Sequence, residues 1–480
     1  MGLQGPSRNM TVSHHTTSER GSTRSCLIAL QGGPKSSEAI ALVEHLLQHV
    51  VLGHREGTDH KKAAGPATIG KLRRAVGALV ADLLNLARLA SNSRPAPSGA
   101  HGLSPSDFPA SLLGFGRDIF RLVIGSFEAN GFLDMAVGKP RWGVAFGEVH
   151  NLGGSATAFA LTPRFLEVAR DLGVTPDAWR GQWRLSERLP APPIGQAQLI
   201  CLRARKERVG GTKQPAEDMD VNYQAPMVQQ IVQQMDDLNG YLVAQDIDGL
   251  LFRGMRRIFN DGDQPGFSWN KGGRFYSLPG SQAYERWNAK LRQGLITING
   301  EQTIEVDLRA SHLTLLHALL REPLDTEVDP YGIPDWPRQV VKLWIAQAIG
   351  SGNPRPRTWS RSSQKEFEAE RPGQFLEDCF PIREVGAAAK AKHPLLVALD
   401  PAGITTLDLQ YHEAEVLRLA MQDLMLAKDI PVLPIHDALL VSQSHAKTAL
   451  EALKIAFGDY VEGVTGLPPI LLPRVTLKGA

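Results

Sequence analysis

The chain reads as an α+β protein on two observations. The stretch "QTIEVDL" alternates Ile304, Val306 and Leu308 with Thr303, Glu305 and Asp307, the period of a strand. "IPVLPIHDALLV" is two apolar runs joined by His436-Asp437, which predicts strand, turn, strand and therefore antiparallel pairing. Between such stretches lie helical ones. "IGKLRRAVGALVADLLNLARLA" repeats apolar residues at steps of three and four, and "MVQQIVQQMDDLNGYLV" and "LQYHEAEVLRLAMQDLMLA" also read as helices. No internal repeat organises them.

The elements are expected in this order. Residues 1–35 are rich in Ser, Thr, Gly and Arg and are expected to be disordered. "EAIALVEHLLQHVV" and the long amphipathic helix follow, completing a region of tail and helices over 1–100. The stretch 91–107 has the composition of a linker. In 101–195, "FPASLLGFGRDIFRLVIGSFEANGFLDMA" predicts one or two helices and a strand. "NLGGSATAFALTPRFLEVARDLG" predicts a Gly-rich hairpin arm and a helix opened by Thr162-Pro163, with Thr162 as its N-cap. Helices, a hairpin and a further helix resemble winged-helix domains of replication initiators and regulators; a plain α+β packing domain fits the same pattern. Residues 196–220 carry Arg203, Arg205, Lys206, Arg208 and Lys213. They read as a basic linker, either a solvated loop or a phosphate-contacting arm. Residues 221–480 hold the densest pattern, interrupted by an Arg/Ser/Pro-rich insertion over about 351–373.

Composition narrows the functional classes. At 480 residues the length suits two or three domains, and 42% apolar with 21% charged residues is that of a folded globular chain. The net charge of +2 announces no bulk nucleic-acid affinity. Cys26, Cys201 and Cys379 are far apart, without zinc spacing or a disulfide framework, so a reducing cytoplasmic setting is expected. No apolar run approaches the roughly 18 residues of a membrane span, and no signal peptide is recognisable at the start.

The chemistry is expected at two carboxylates. Asp307 and Glu305 share the polar face of their predicted strand. Asp437 stands in a two-residue turn, where His-Asp is an uncomfortable pair because such turns favour residues that accept positive φ. Local rules broken in this way mark function, so Asp437 is expected exposed at the tip of two buried strands. Two aspartates on neighbouring strands can hold two Mg²⁺ ions about 4 Å apart for phosphoryl transfer. A Ser-His-Asp triad is the rival use of His436, but no G-x-S-x-G elbow occurs. No H-E-x-x-H occurs to suggest zinc.

Four motifs, in order, resemble the palm of family A DNA polymerases and single-subunit phage-type RNA polymerases. "GGRFYSLPG" is similar to their T-G-R-L-S-S segment, with Arg274 on its arginine. "IEVDLRASHLTLLHAL" is similar to motif A. "LQYHEAEVLRLAM" is similar to the Q-x-x-A-A-D-I-x-x-x-A-M helix, with Gln410 on its glutamine. "IHDALLV" is similar to motif C. The resemblance covers about residues 250–475 and extends to compact polymerase-like proteins of bacterial mobile elements.

The resemblance implies a polymerase-like palm, an antiparallel sheet with helices, in which Asp307, Asp437 and the carbonyl of Leu308 hold two Mg²⁺ ions, with Mn²⁺ as a possible substitute. It implies His436 beside the primer end, and Arg274 and Gln410 on the nucleic-acid strands. "PRQVVKLWIAQAIG" stands for motif B: Arg338 and Lys342, at i and i+4, would hold the triphosphate, and Lys342 would protonate the leaving pyrophosphate. The family's tyrosine is absent there, Ile349 being nearest and one residue short. His312, five residues after Asp307, occupies the position that selects the sugar, and its bulk favours deoxynucleotides. The short segment between the aspartates implies reduced fingers, and no exonuclease motif precedes them. The function expected is a DNA polymerase acting on primer-template and nucleoside triphosphates, with no membrane partner. The alternatives are an RNA polymerase or primase on the same palm, or an inactive DNA-binding replication or regulatory protein.

Overall fold

The computed structural model describes residues 25–28, 30, 32–56, 63–90, 98–101, 103, 113–136, 140–145, 148–154, 157–184, 194–209, 212–250, 252–278, 283–399 and 403–478. Residues 1–24 of the expected disordered tail, and most of the expected linker at 91–107, lie outside them. The chain divides into two compact units, with the division at Trp183–Arg184 and a short crossover at residues 31–33. Helices and largely antiparallel sheets make up both, an α+β architecture.

The smaller unit has a four-stranded sheet in the order Ser25–Leu27, Ser98–His101, Thr157–Leu161, Leu133–Ala136. Its first pair is parallel. Two of these strands fall in segments expected to be disordered or linking. Backbone pairing needs no apolar side chain, so "SGAH" can pair with the Phe159 strand despite its composition. The helix Pro66–Ala90 buries Leu72, Val76, Leu79, Val80, Leu83 and Leu84. The aromatic core of Phe120, Phe127, Phe132, Phe159 and Phe165 joins the Arg117–Ala129 helix to the sheet and to the helix Pro163–Asp171. Thr162 caps that last helix, its hydroxyl accepting from the Phe165 amide at 3.3 Å.

The larger unit contains two multi-stranded sheets and a short two-stranded ribbon, Arg208–Val209 with Thr212–Lys213. The first runs Asp218–Met219, Ile200–Arg203, Met255–Phe259, Gly272–Ser277. The 196–220 segment is therefore not a linker. Ile200, Cys201 and Leu202 are buried, and Ile200–Arg203 pairs parallel with Met255–Phe259. Burying three apolar residues outweighs what the flanking cations gain from water. Arg203 ion-pairs with Asp218 at 3.1 Å, and the Arg205 amide donates to Asp263 at 2.7 Å.

The second sheet is built on the strand Glu301–Leu308. One edge pairs with Ala438–Ser442, which continues to Val432–Ile435; the other pairs with Thr297–Ile298 and, further along, Val475–Lys478. Every residue of the hairpin strands Val432–Ile435 and Ala438–Ser442 is buried, as their continuous apolar runs require. The helix Thr406–Gln422 opens with a capping box between Thr405 and Asp408. It packs on the strand Gly272–Ser277 and on the helices Ser311–Leu319 and Ala446–Thr465. A group of helices, Arg338–Ser351, Arg361–Glu370 and Ile382–Lys392, packs together between the two aspartates in sequence.

Candidate active site

Asp307 ends the run in which its strand is paired on both edges, opposite Ala438 on one side and Thr476 on the other. The next residue, Leu308, donates its amide to the Asp437 carbonyl at 3.0 Å. Opposed residues of antiparallel strands lie about 4.5–5.5 Å apart at Cα. The two aspartates, 130 positions apart in the chain, thus meet at one end of one sheet.

The hairpin turn is tight, with Ile435 paired to Ala438. His436 bears the strain, at φ 45° in the left-handed region. The turn differs from its sequence reading in one respect: His436 and Asp437 are half-buried rather than exposed. Tyr276 covers the imidazole edge-on, 6.0 Å between centroids. His436 Nδ1 is buried with no hydrogen-bond partner among the described residues. Burial, and then the Arg274 charge, holds this imidazole below the ordinary histidine range.

Burial and then the neighbouring Asp437 charge push Asp307 up to about 6, although Lys478 contacts its carboxylate. Burial, and then the charge of Glu413, raises Asp437. Around them, Asp307, Asp437 and Glu413 set three carboxylates against the cations Lys478 and Arg274. Arg274 is largely committed to Glu413, its Nε donating at 2.8 Å. Glu413 is fully buried and also accepts from the Ser311 hydroxyl at 2.5 Å. His312 stands 3.6 Å from the same carboxylate, and its Nε2 is 3.2 Å from Arg274 Nη2. Burial would raise Glu413, but His312, Arg274 and Ser311 together hold it below the usual carboxylate range.

The structure thus brings Asp307, Asp437, His436, Arg274 and His312 into one cluster. Leu308 lies in it through its peptide. Gln410 is half-buried on the Thr406–Gln422 helix, and its side chain forms no hydrogen bond to a described residue. Arg338 opens its helix after Pro337 and donates to Asp329 at 2.7 Å while lying over the Tyr331 ring at 5.2 Å. Tyr331 ties this helix start to the aspartates: burial pushes its phenol up to about 12, with Arg338 opposing and the Asp329 and Asp437 charges adding. Lys342, one turn on, is exposed and forms no ion pair with a described residue. Ile349 is buried at 2% exposure and presents nothing to a substrate.

Glu413, Ser311, Lys478 and Tyr331 are site residues that the sequence reading missed. Glu413 had a detectable signal, an acid three residues after Gln410 on a helix that must bury one face. Lys478 had none, because only the pairing of Val475–Lys478 with the central strand brings it to Asp307.

Among the described residues no group of three or more His, Cys, Asp or Glu side chains is arranged to hold a metal. Two carboxylates with a shortage of positive charge nevertheless fit Mg²⁺, which takes one or two carboxylates and completes its shell with water and substrate phosphate.

The chain matches no family model and no curated protein. Among solved structures it is similar to the POL domain of Pol1 from M. smegmatis, in complex with DNA primer-template and dNTP. That similarity has a TM-score of 0.24 at 12% identity, over 43% of this chain and 45% of the other. The chain therefore spans less than half of that structure.

Proposed function

We propose that this chain is a template-directed nucleotidyltransferase that extends a DNA primer from dNTPs on a polymerase-like palm. The observation that carries this reading is the meeting of Asp307 and Asp437 at one sheet end, both raised by burial and sharing one half-exposed lysine. Such a pair is costly in an empty site and favourable around a divalent cation.

Asp307, Asp437 and the Leu308 carbonyl would hold Mg²⁺, or Mn²⁺ in its place. When bound, the metal supplies activation of the attacking hydroxyl and charge stabilisation at the transferred phosphate. The protein's own part is positional. The hairpin and central strand fix the two carboxylates, and His436 offers its unpartnered Nδ1 beside the primer end. Arg274 and Gln410 contact the strands. Lys342 is free to meet the triphosphate and to give a proton to the departing pyrophosphate. Arg338 joins it by exchanging Asp329 for phosphate oxygens. His312, held against Glu413, narrows the space at the sugar and favours deoxynucleotides; a smaller residue there would favour ribonucleotides, the RNA polymerase or primase reading. The helices between the aspartates act as reduced fingers. The segment 101–195, read as winged-helix-like, and the basic run near residue 205 would hold duplex. A mobile element or prophage and a cytoplasmic setting suit such a protein.

The test is primer extension on DNA and RNA templates with Mg²⁺, comparing dNTPs with NTPs. Wild type extends with dNTPs, and Asp437→Asn lowers incorporation by about a thousandfold or more, on the order of 4 kcal/mol in the barrier, while DNA binding persists. Full activity in Asp437→Asn would refute the site. The burial of Ile349 where the family has its tyrosine favours one second reading, a DNA-binding replication protein without catalysis. Wild type that shifts DNA in a gel but extends nothing would establish it.

A further inference from the structure

The Arg/Ser/Pro-rich insertion has no place in the mechanism above, yet its start builds a site. In Asn353-Pro354-Arg355-Pro356-Arg357 the two prolines are buried and the two arginines exposed. Proline fixes φ near −65°, so burying alternate prolines holds the arginines outward on a stiffened backbone. The Asn353 side chain adds to this by accepting from the Arg355 amide at 2.8 Å. Both arginines line an open cavity of about 490 Å³. Across it runs one side of the helix Ile382–Lys392, from Arg383 in its first turn past Gly386 to Lys390 in its last.

Four cations line this cavity, and no carboxylate does. None of Arg355, Arg357 and Arg383 forms an ion pair with a described residue. Lys390 lies 5.9 Å from the Trp344 ring and 3.4 Å from the Pro354 carbonyl, and it too forms no ion pair with a described residue. At the cavity wall the Trp344 indole N–H is buried without an acceptor. Gly386 permits that approach, since a methyl there would fall 2.8 Å from Trp344 Nε1. Like charges are thus drawn together in a lining that holds no carboxylate; the acid of the adjoining helix's first turn, Glu384, is not part of it.

We propose that this cavity is a phosphate-binding site, taking phosphate oxygens on Arg355, Arg357 and Arg383. The guanidinium forks match phosphate oxygens two at a time, and the volume is that of a small-ligand pocket. The phosphate can come from a free nucleotide or from a nucleic-acid strand. The inference does not depend on the polymerase reading.

The experiment is calorimetric titration of the full chain with inorganic pyrophosphate at low salt in EDTA. The chelator prevents binding through divalent ions at the aspartates. Wild type binds, and Arg357→Glu and Arg383→Glu each weaken binding at least tenfold. Both positions are exposed, so melting temperatures stay at the wild-type value; Arg357→Gln and Arg383→Gln are the milder pair should the reversals perturb folding. Competition by ATP alone identifies a free nucleotide, and competition by a short single-stranded oligonucleotide identifies a strand. Absence of pyrophosphate binding, or equal binding by the variants, overturns the proposal. So does binding that falls with Lys342→Ala and not with the cavity variants.

Discussion

The larger unit buries carboxylates in two ways, at one sheet and its covering helix. Glu305, Glu413 and Glu415 are each met by arginine: Glu305 by Arg292 at 2.7 Å, Glu413 by Arg274, and Glu415 by Arg257 and Arg418 at 2.7 Å each. Burial would raise Glu413 and Glu415, yet their partners hold both below the usual range. Asp307, two residues beyond Glu305 on the same strand, and Asp437 in the hairpin turn are raised instead, and Lys478 opposes the rise at both. The first set is electrically complete and works as scaffold. The second is incomplete, and that incompleteness is what separates these two aspartates from the arginine-met acids.

The comparison breaks most visibly if the arginine-met set proves dispensable. Arg292→Leu strands the Glu305 charge at 1% exposure. Removing one partner of a buried pair costs about 3–5 kcal/mol, so urea unfolding should show a loss of that size. A loss under about 1 kcal/mol would mean that the pair is not the scaffold claimed.

A third solution sharpens the contrast. His317 and His393 are buried, 3.2 Å apart between ring nitrogens, and capped at their far ends by the Glu322 and Pro330 carbonyls. They meet burial by shedding charge: burial and then His393 bring His317 down to about 4, and burial lowers His393. A depressed histidine pKa means that the unfolded chain binds the proton first. Stability is therefore full above the unfolded value near 6.5 and falls as pH drops toward 4. Between pH 7 and 5 the His317 contribution should be about 2 kcal/mol. His317→Phe should flatten that part of the stability-against-pH curve; an unchanged slope would assign the acid sensitivity elsewhere.

Neutralising a member of the incomplete set should act in the opposite direction to breaking a scaffold pair. Asp437→Asn removes a charge that burial and Glu413 disfavour. In EDTA the variant should be more stable than wild type by about 1 kcal/mol, and the rise in melting temperature that Mg²⁺ gives the wild type should disappear. Destabilisation in EDTA would move Asp437 into the scaffold set.

How much of this could be read beforehand depended on how local each feature is. The N-cap at Thr162 and the discomfort of His436-Asp437 at a tight turn are local, and the structure carries them; the alternation of the central strand predicts one polar face, but pairing on both edges and the covering helices bury Thr303 to Leu308 throughout, Glu305 and Asp307 included. The capping hydroxyl donor-acceptor geometry and the positive φ of His436 follow from neighbours in sequence. Features set by distant partners were not legible. Ile200–Arg203 reads as a basic linker until Met255–Phe259 pairs with it. The turn reads as exposed until Tyr276 covers it. The charge balance of the aspartates depends on Glu413 and Lys478, which approach from a helix and a strand over a hundred positions from Asp307.

Lys478 supplies the smallest and most discriminating expectation. Its ammonium contacts Asp307, its charge also reaches Asp437, and its side chain is half-exposed at 49%. An exposed ion pair contributes little to stability, so Lys478→Ala should change it by about 0.5 kcal/mol or less. The effect on a cation should be larger than that on the fold. The lysine is a cation that eases both carboxylates, and its removal leaves the two without it. The Mg²⁺ concentration for half-maximal thermal stabilisation should then fall several-fold, corresponding to about 1 kcal/mol. If it rises instead, Lys478 is supporting the carboxylate geometry rather than competing for it, and the aspartates belong closer to the scaffold set than their raised protonation suggests.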